Sequence, residues 1–177
     1  MINHMANSRI FQFRKCAAAD LDAIMGLQET VCRTIKNKDI FVPTERCENE
    51  KFLKEPSFII GCFDGPNLIS YCSLSIPGED MENLGWDLLW PREKVLACAK
   101  LDTIVVHPDY RGQHLQQRVM QYVFVIVEDN HDIKYILTTV SPENKYSLHN
   151  VQAMGFEVLM KKLKYGGKER LILCRVR

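Results

Sequence analysis

Two short apolar runs, separated by a segment with helical character, constrain the fold of this chain more than any other feature. Residues 101–106 (LDTIVV) end at His107-Pro108, and residues 135–140 (YILTTV) are also rich in β-branched side chains. If both runs are buried strands that lie parallel, the connection between them needs a dozen or more residues, normally a helix. We therefore predict a helix from His114 to about Asp129, although its YVFVIV segment has the composition of a strand.

The other elements follow from hydrophobic periodicity and from turn residues. The predicted elements are a strand at 9–16, a helix after the N-cap Asp20, a helix at about Thr44–Lys54, two strands joined at Asp64-Gly65-Pro66-Asn67, an irregular segment Pro77–Arg92, a strand Val95–Val106, a strand Tyr135–Val140, a helix Asn144–Met154 stopped by Gly155, and a closing hairpin with Gly166-Gly167 in its turn. With the crossover helix, this order gives seven strands. We expect residues 1–177 to form one domain.

Charge and composition exclude several classes of partner. Lys+Arg 23 against Asp+Glu 22 give a formal net charge of +1, so no overall field attracts nucleic acid or an anionic membrane. The longest fully apolar run, Val123–Val127, is far shorter than the roughly 20 residues of a membrane-spanning helix. Seven cysteines without a CxxC pair or a secretory signal favour reduced thiols. We expect a cytoplasmic protein with a small-molecule partner. We expect it to exist as a monomer or a homodimer.

The junction between the strand that ends at Val106 and the helix that starts near His114 has the properties of an anion site. The first turn of a helix has N–H groups without intrahelical partners, and the helix dipole adds roughly half a positive charge. Gly112 permits close approach of the backbone, and Arg111 offers a guanidinium group to a phosphate. Taken alone, these residues fit an ordinary strand-to-helix corner equally well.

A second segment favours the functional interpretation. Residues 141–156 (SPENKYSLHNVQAMGF) place Asn144, Ser147 and Val151 on one face of a helix that Gly155 closes. The two segments together resemble the GNAT family of N-acetyltransferases. The first is similar to that family's [Q/R]-x-x-G-x-[G/A] pyrophosphate loop, and the second to its N-x-x-[A/S] and G-[F/Y] segment. The order of elements also matches, so the resemblance covers nearly the whole chain.

The resemblance implies an α/β (α+β) fold with a mixed, mostly antiparallel seven-stranded sheet flanked by helices on both faces. It also implies acetyl-CoA as co-substrate and no metal. The implied coenzyme A contacts are the loop residues Arg111, Gly112, Gln113, His114, Leu115 and Gln116, the strand backbone of Ile104, Val105 and Val106, and Asn144 with Ser147 at the pantetheine arm. The strands Leu101–Val106 and Ile136–Val140 would splay apart to make the slot for that arm.

The sequence departs from the family pattern at three positions. His114 stands at the middle glycine of the loop and Gln116 at its final small residue. Val151 stands where many members have a tyrosine that protonates the leaving thiolate, and Tyr146 lies on a different helix face. We therefore expect water or the departing ammonium to supply that proton, since a thiol of pKa about 8.5 is a fair leaving group.

Direct attack by an amine requires a base that takes a proton from the ammonium. Asp102, on the strand that leads into the loop, is the candidate base, and a surface aspartate is the alternative interpretation. The acidic residues of the irregular segment could attract a cationic acceptor or could simply be solvated, and its two tryptophans could form a lid on the acceptor side or belong to the core. These residues are Glu79, Asp80, Glu82 and Asp87, with Trp86 and Trp90.

Covalent and metal-dependent mechanisms have no support in the sequence. There is no HExxH motif or Cys/His cluster, and no cysteine stands with a histidine and an acid in a known arrangement. We therefore predict direct transfer from acetyl-CoA to the primary amine of a small molecule in a ternary complex. A peptide or protein acceptor, and a degenerate domain that binds acyl-CoA as a sensor, remain as alternatives.

Overall fold

A computed structural model describes residues 10–177. The strands are β1 Gln12–Lys15, β2 Phe58–Asp64, β3 Asn67–Ser75, β4 Cys98–Val106, β5 Tyr135–Val140, β6 Glu157–Lys164 and β7 Lys168–Val176. The helices are α1 Leu21–Thr34, α2 Arg46–Phe52, α3 Leu84–Asp87, α4 Arg92–Leu96, α5 Leu115–Glu128 and α6 Lys145–Ala153. The strands form one sheet in the order β1-β2-β3-β4-β5-β7-β6.

The central pair of the sheet, β4 and β5, is its one parallel pair among the described residues. The crossover between these strands contains α5, so the helix predicted from His114 to Asp129 is confirmed. The arrangement follows from topology, because antiparallel neighbours accept short hairpins whereas a parallel pair requires a long return connection.

Helices pack on both faces of the sheet. On one face, α5 buries Val119 and Val123 against Ile136 of β5. On the other face, α1 buries Ile24 against Ile59 of β2. The predicted fold class is therefore confirmed: a mixed, mostly antiparallel sheet of seven strands between helical layers.

Some predicted boundaries differ from the structure. The strand predicted from Val95 begins at Cys98, because residues 92–96 form the short helix α4 after Pro91. The irregular segment contains another short helix, α3, which is capped by the side chain of Asn83. The first strand spans only β1, and residue 9 of the predicted range lies outside the described residues.

Candidate active site

A wedge opens in the middle of the sheet where β4 and β5 separate. Their pairing runs from Cys98–Tyr135 to Leu101–Thr138 and stops there. Beyond this point β4 pairs only with β3, and β5 pairs only with β7. The Thr138 hydroxyl donates to the Leu101 carbonyl at 3.0 Å and closes the base of the wedge. The predicted splay of these two strands therefore agrees with the observed register.

A β-bulge in β4 lies at the base of this wedge. Leu74 pairs with Leu101 and Ser73 pairs with Thr103, so Asp102 is the extra residue on β4. A bulge bends the strand that carries it and increases its twist. This local bend turns the end of β4 away from β5 and places Asp102 beside the opening.

The loop after β4 presents a run of free backbone donors. Within residues 10–177, the N–H groups from Gly112 to Gln117 have no protein acceptor, and the first amide bonded into α5 is that of Arg118, which donates to the His114 carbonyl at 3.0 Å. Unpaired amides at a helix start, aided by the helix dipole, form a binding site for an anion. The geometry therefore fits a diphosphate group.

Two residues of this loop have left-handed backbone conformations. Gly112 has φ +78°, and His114, the N-cap of α5, has φ +56°. His114 stands at the middle glycine of the family pattern, and the structure shows why glycine is favoured there, since a positive φ strains residues that carry a Cβ. The exposed imidazole is thus compatible with the loop at an energetic cost.

Gln116, at the position of a small residue in the pattern, connects α5 to α6. Its Nε2 donates to Ser147 Oγ at 3.1 Å, and its Oε1 accepts from Asn150 Nδ2 at 2.9 Å. Gln117 Nε2 adds a bond to Asn150 Oδ1 at 3.3 Å. These side-chain bonds hold the helix that carries Asn144 against the start of α5.

The wedge continues into a cleft of about 360 Å³ that contains several of the predicted residues. Its wall includes Ile104, Asn144, Ser147 and Val151. Asn144 caps α6, because its Oδ1 accepts from the Ser147 amide at 3.2 Å, and its NH₂ group has no partner within residues 10–177. An amide group with a free donor therefore lies in the wall of the cleft that the splayed strands open into.

The remaining predicted coenzyme A residues lie beside the cleft. Arg111 is exposed, and its Nη2 lies 3.4 Å from the Thr34 hydroxyl at the end of α1. The Leu115 side chain is buried, so only its backbone is available to a ligand. Gln113 is exposed, and Val105 and Val106 place their side chains in the core clusters beneath β4. Their binding roles remain predictions.

Asp102 lies inside the cleft rather than on the surface. Its side chain is 10% exposed, and its two oxygens lie 2.6 Å from Lys100 Nζ and 2.5 Å from Ser75 Oγ. Burial raises the pKa of Asp102 above its ordinary value, and the neighbouring Lys100 and Ser75 offset only part of that shift. Burial alone would lower the pKa of Lys100, but the negative charge of Asp102 raises it. Of the two interpretations of Asp102, the surface aspartate is wrong.

The carboxylates that line the cleft differ in part from the expected ones. Glu79 is paired with Arg92, and Asp87 is paired with Lys162 at 2.7 Å and Lys164 at 2.5 Å. Of the four acidic residues in the irregular segment, Glu82 lines the cleft. Two carboxylates that the sequence reasoning missed join it there from the start of α2. These are Glu45 and Glu48.

Of the two interpretations of the tryptophans, the structure favours the core position for Trp90 over a lid on the cleft. Trp90 packs on Tyr135, with ring centroids 5.0 Å apart, at the closed end of the β4–β5 pair. Trp86 lies beside it in the sequence and its Nε1 lies 3.4 Å from the Glu79 carbonyl. Neither side chain lines the cleft, and Leu84 of α3 packs with Trp90 against the core cluster that contains Cys98.

Two other segments wall the cleft where the lid was expected. One is the connection from α1 to α2, which contributes residues 40–45, and the other is the turn between β6 and β7. Tyr165 in this turn has φ +51°, and its hydroxyl lies 3.1 Å from Thr139 Oγ1. The sequence reasoning missed Tyr165, Lys100 and Arg170, and the only local signal was the Gly166-Gly167 turn.

No thiol or metal cluster supports another chemistry in residues 10–177. None of the seven cysteines lines the cleft, and burial raises the pKa of Cys16 and Cys98 to about 12. No group of His, Cys, Asp and Glu among the described residues could hold a metal ion. Across the same residues, no helix has both the length and the apolar character needed to cross a bilayer.

The fold and the site together define an acyl-transferring α/β protein: a splayed parallel strand pair with an anion-binding loop at its end. The Acetyltransferase (GNAT) family model matches residues 25–156. The chain therefore belongs to the GNAT acetyltransferase family and is an acetyl-CoA-dependent N-acetyltransferase. The resemblance inferred from the two sequence motifs is confirmed. No curated protein matches the sequence.

Solved structures share the fold at low sequence identity. An acetyltransferase of the GNAT family from Streptococcus pneumoniae has a TM-score of 0.71 and 13% identity, covering 94% of this chain and 99% of that chain. The yncA protein of Salmonella typhimurium, solved with its cofactor acetyl-CoA, has a TM-score of 0.69 and 13% identity over 94% of both chains. Ribosomal-protein-alanine N-acetyltransferase from Brucella melitensis has a TM-score of 0.69 and 15% identity, covering 94% and 99%.

Proposed function

We propose that the protein acetylates the primary amine of a small molecule by direct attack within a ternary complex. The observation that carries this proposal is the cleft at the β4–β5 wedge, whose wall contains Asn144 at the start of α6 and several carboxylates, and which lies beside the free amides at the start of α5. A cleft of this kind can hold two substrates end to end. The reaction would take place between them, beside Asp102.

Coenzyme A fits the side of the cleft that faces α5 and α6. The amides of Gly112–Gln117 would hold the diphosphate, and the backbone of Ile104–Val106, which has no strand partner toward β5, would bond to the pantetheine arm. The Asn144 NH₂ group would donate to an amide oxygen of that arm. When bound, acetyl-CoA supplies an acetyl group activated as a thioester.

The acceptor would occupy the other side of the cleft. Three carboxylates there, those of Glu45, Glu48 and Glu82, favour the approach of an ammonium group. Asp102 would accept the proton that the ammonium must lose before attack. Its raised pKa suits this role, because a base works best when its pKa lies near the working pH.

The size and closure of the cleft favour a small acceptor. The connection from α1 to α2 is joined to the β6–β7 hairpin: Arg170 Nη2 donates to the Asp39 carbonyl at 2.7 Å, and Lys168 Nζ lies 3.2 Å from the Asp39 carboxylate. This bridge ties together two walls of a cleft whose volume of about 360 Å³ is typical of small-ligand sites. These features favour a small molecule over a folded protein surface as the acceptor.

A peptide N-terminus is the alternative acceptor. The structural likeness to the Brucella ribosomal-protein-alanine N-acetyltransferase supports this alternative. An extended chain end could enter the cleft more easily than a folded protein surface. Direct transfer is proposed for either acceptor, because the cleft offers no cysteine for an acyl-enzyme.

The test is thiol release from acetyl-CoA over matched panels of small amines and short peptides, with the acetylated products identified by mass spectrometry. The proposal expects small amines to be acetylated faster than peptides, and an Asp102→Asn variant to lose about 100-fold or more in kcat. Faster peptide turnover would favour the alternative acceptor. Stabilisation by coenzyme A in a thermal-shift titration, without thiol release on either panel, would indicate an acyl-CoA sensor.

A further inference from the structure

Within residues 10–177, Arg170 is a buried cation in the acceptor half of the cleft that has no acidic partner. The residue is 4% exposed and lines the cleft. Its Nη1 donates to the Glu169 carbonyl and its Nη2 to the Asp39 carbonyl, both at 2.7 Å. No aspartate or glutamate of residues 10–177 forms an ion pair with it, since the nearby Asp39 carboxylate is paired with Lys168 instead.

A buried charge without a counter-ion is unusual, because removing a cation from water is costly unless an anion compensates. The other buried cation of the cleft, Lys100, follows this rule and pairs with Asp102 at 2.6 Å. Arg170 does not, and burial lowers its pKa although Tyr165 and Asp39 offset part of the shift. Two of its five N–H groups are used, so three remain for another acceptor.

The position of Arg170 on its strand places the guanidinium on the acceptor side. Residues alternate between faces along β7, and Ile172 and Cys174, two and four residues on, belong to the same core cluster as Cys98 of β4. On β4, Lys100 stands two residues after Cys98 and therefore lies on the same face of the sheet. Lys100 pairs with Asp102. Arg170 and the proposed base therefore lie on one face of the sheet and border one cleft.

We propose that Arg170 binds a carboxylate of the acceptor, so that the acceptor is an amino acid or another small amino-carboxylic acid. This inference rests on the proposed function, and it narrows the substrate class. A guanidinium group matches the two oxygens of a carboxylate in a fixed, forked geometry. The Tyr165 ring, centred 5.7 Å from the guanidinium carbon, and the two carbonyl acceptors hold that fork in place.

The two ends of such an acceptor would then be oriented by opposite charges. Its carboxylate would lie against Arg170, and its ammonium group would lie toward Asp102 and the exposed carboxylates of Glu48 and Glu82. Holding both ends fixes the amine with respect to the thioester, which is the main contribution that a binding site makes to a bimolecular transfer.

The experiment uses matched pairs in which only the carboxylate changes. Each pair consists of an α-, β- or γ-amino acid and its carboxamide, which keeps the amine and the chain length. For the wild-type protein we expect kcat/KM for the best acid to exceed that of its carboxamide by about 10- to 100-fold, the range of hydrogen bonds to charged groups. In Arg170→Gln the acid-to-amide ratio should fall to about 1, with KM for acetyl-CoA unchanged, whereas Arg170→Lys should keep part of the preference.

Lys168→Gln is the matched control, because it removes the other contact between the β6–β7 hairpin and Asp39 but leaves the guanidinium in the cleft. It should preserve the wild-type ratio, and melting temperatures of all variants identify loss of folding. A purely structural role for Arg170 would lower the rates for acid and amide equally. An unchanged ratio in Arg170→Gln, or no acid preference in the wild type, overturns the inference even if amines are acetylated.

Binding gives a readout that does not depend on turnover. Calorimetric titration of coenzyme A-saturated protein with an N-acetyl amino acid and with the corresponding N-acetyl amide should show the same preference, again lost in Arg170→Gln. If this preference is found while no amine is acetylated, the carboxylate site stands and the proposed function fails. If amines are acetylated and bound products show no preference, the carboxylate site fails and the proposed function stands.

Discussion

The side chain of Gln28 pairs with the backbone of Thr44 in both directions. Gln28 Oε1 accepts from the Thr44 amide at 3.0 Å, and Gln28 Nε2 donates to the Thr44 carbonyl at 2.9 Å. Thr44 in turn shares a 2.6 Å hydroxyl bond with Thr103, next to the bulge in β4. A buried glutamine of α1 thus fixes the loop that walls the acceptor side of the cleft.

Replacing Gln28 by alanine should loosen that wall. The Thr44 backbone would lose both of its bonds to Gln28 and the buried Tyr71 hydroxyl would lose its acceptor, so we expect the free energy of unfolding to fall by about 1–3 kcal/mol. KM for the acceptor should rise, while KM for acetyl-CoA should not, because coenzyme A would lie toward α5 and α6. Gln152→Ala, at an exposed position of α6, is the control. An equal rise in both KM values would show that Gln28 supports the whole site.

His114 should be replaceable by glycine with a gain in stability. Its φ of +56° costs a residue with a Cβ about 1–2 kcal/mol, and glycine avoids this cost but adds freedom to the unfolded chain. We therefore expect His114→Gly to raise the melting temperature slightly and His114→Val to lower it. His131→Gly, which lacks a positive φ, should not stabilise. Loss of stability in His114→Gly would mean that the imidazole makes a compensating contact.

Arg111 should matter for coenzyme A through phosphate rather than through the pantetheine arm. It stands on the loop beside the free amides and outside the wall of the cleft. Arg111→Ala should weaken coenzyme A binding by about 10-fold, the value of one hydrogen bond to a charged group, and leave pantetheine binding unchanged. Arg33→Ala removes a nearby arginine that is already paired with Glu29 and serves as the control. Equal losses for both ligands would contradict the assignment of the loop.

Much of the cofactor side could be predicted from the sequence because its signals are local. A helix start at Asn144, a stop at Gly155 and a loop between Val106 and His114 each depend on neighbouring residues, and the parallel pairing follows from the length of one connection. These short-range rules place backbone donors correctly without knowledge of the distant parts of the chain.

The acceptor side could not be predicted in the same way because residues far apart in the chain form it. Arg170 meets the α1–α2 connection, and Tyr165 meets Thr139 of β5, only after the sheet has brought β7 next to β5. The choice between a lid and a core position for Trp86 and Trp90 could not be made from the sequence, since no local pattern indicates the short helices α3 and α4. Composition likewise could not show which carboxylates are neutralised by distant lysines, as Asp87 is by Lys162 of β6.

Asp20 should make the stability of the protein depend on pH in the acid range. The bidentate hydrogen bonds from Arg14, both at 2.8 Å, lower the pKa of Asp20, and the Ala17 amide adds to the effect. The pKa of Asp20 is about 3.9 in the unfolded chain and lower in the folded protein. The charged carboxylate therefore stabilises the fold at pH values above about 3.9, and this contribution is lost as the pH falls through the pKa of the folded state. Asp20→Asn should therefore lower the melting temperature at pH 7.

The difference in melting temperature between Asp20→Asn and wild type should shrink as the pH falls below the unfolded value of about 3.9 and through the lower folded value, where the wild-type carboxyl also loses its charge. Asp132→Asn, an exposed aspartate between α5 and β5, should show no such pH-dependent difference. A constant difference from pH 3 to pH 7 would mean that Asp20 stabilises through packing rather than through its charge.

The pH dependence of a Lys100 variant should show whether Asp102 is the base. Its ammonium lies 2.6 Å from the Asp102 carboxylate and partly offsets the rise in pKa that burial causes. Lys100→Met removes that charge, so the pKa of Asp102 should rise further and the carboxylate should be protonated up to a higher pH. The acidic limb of the kcat/KM profile should then move to higher pH, while the rate on the alkaline side is largely retained.

Glu82→Gln removes only the longer 3.7 Å contact of Lys100 and should leave the limb in place. A limb that stays fixed in Lys100→Met, in protein with a native melting transition, would exclude Asp102 as the group that accepts the proton.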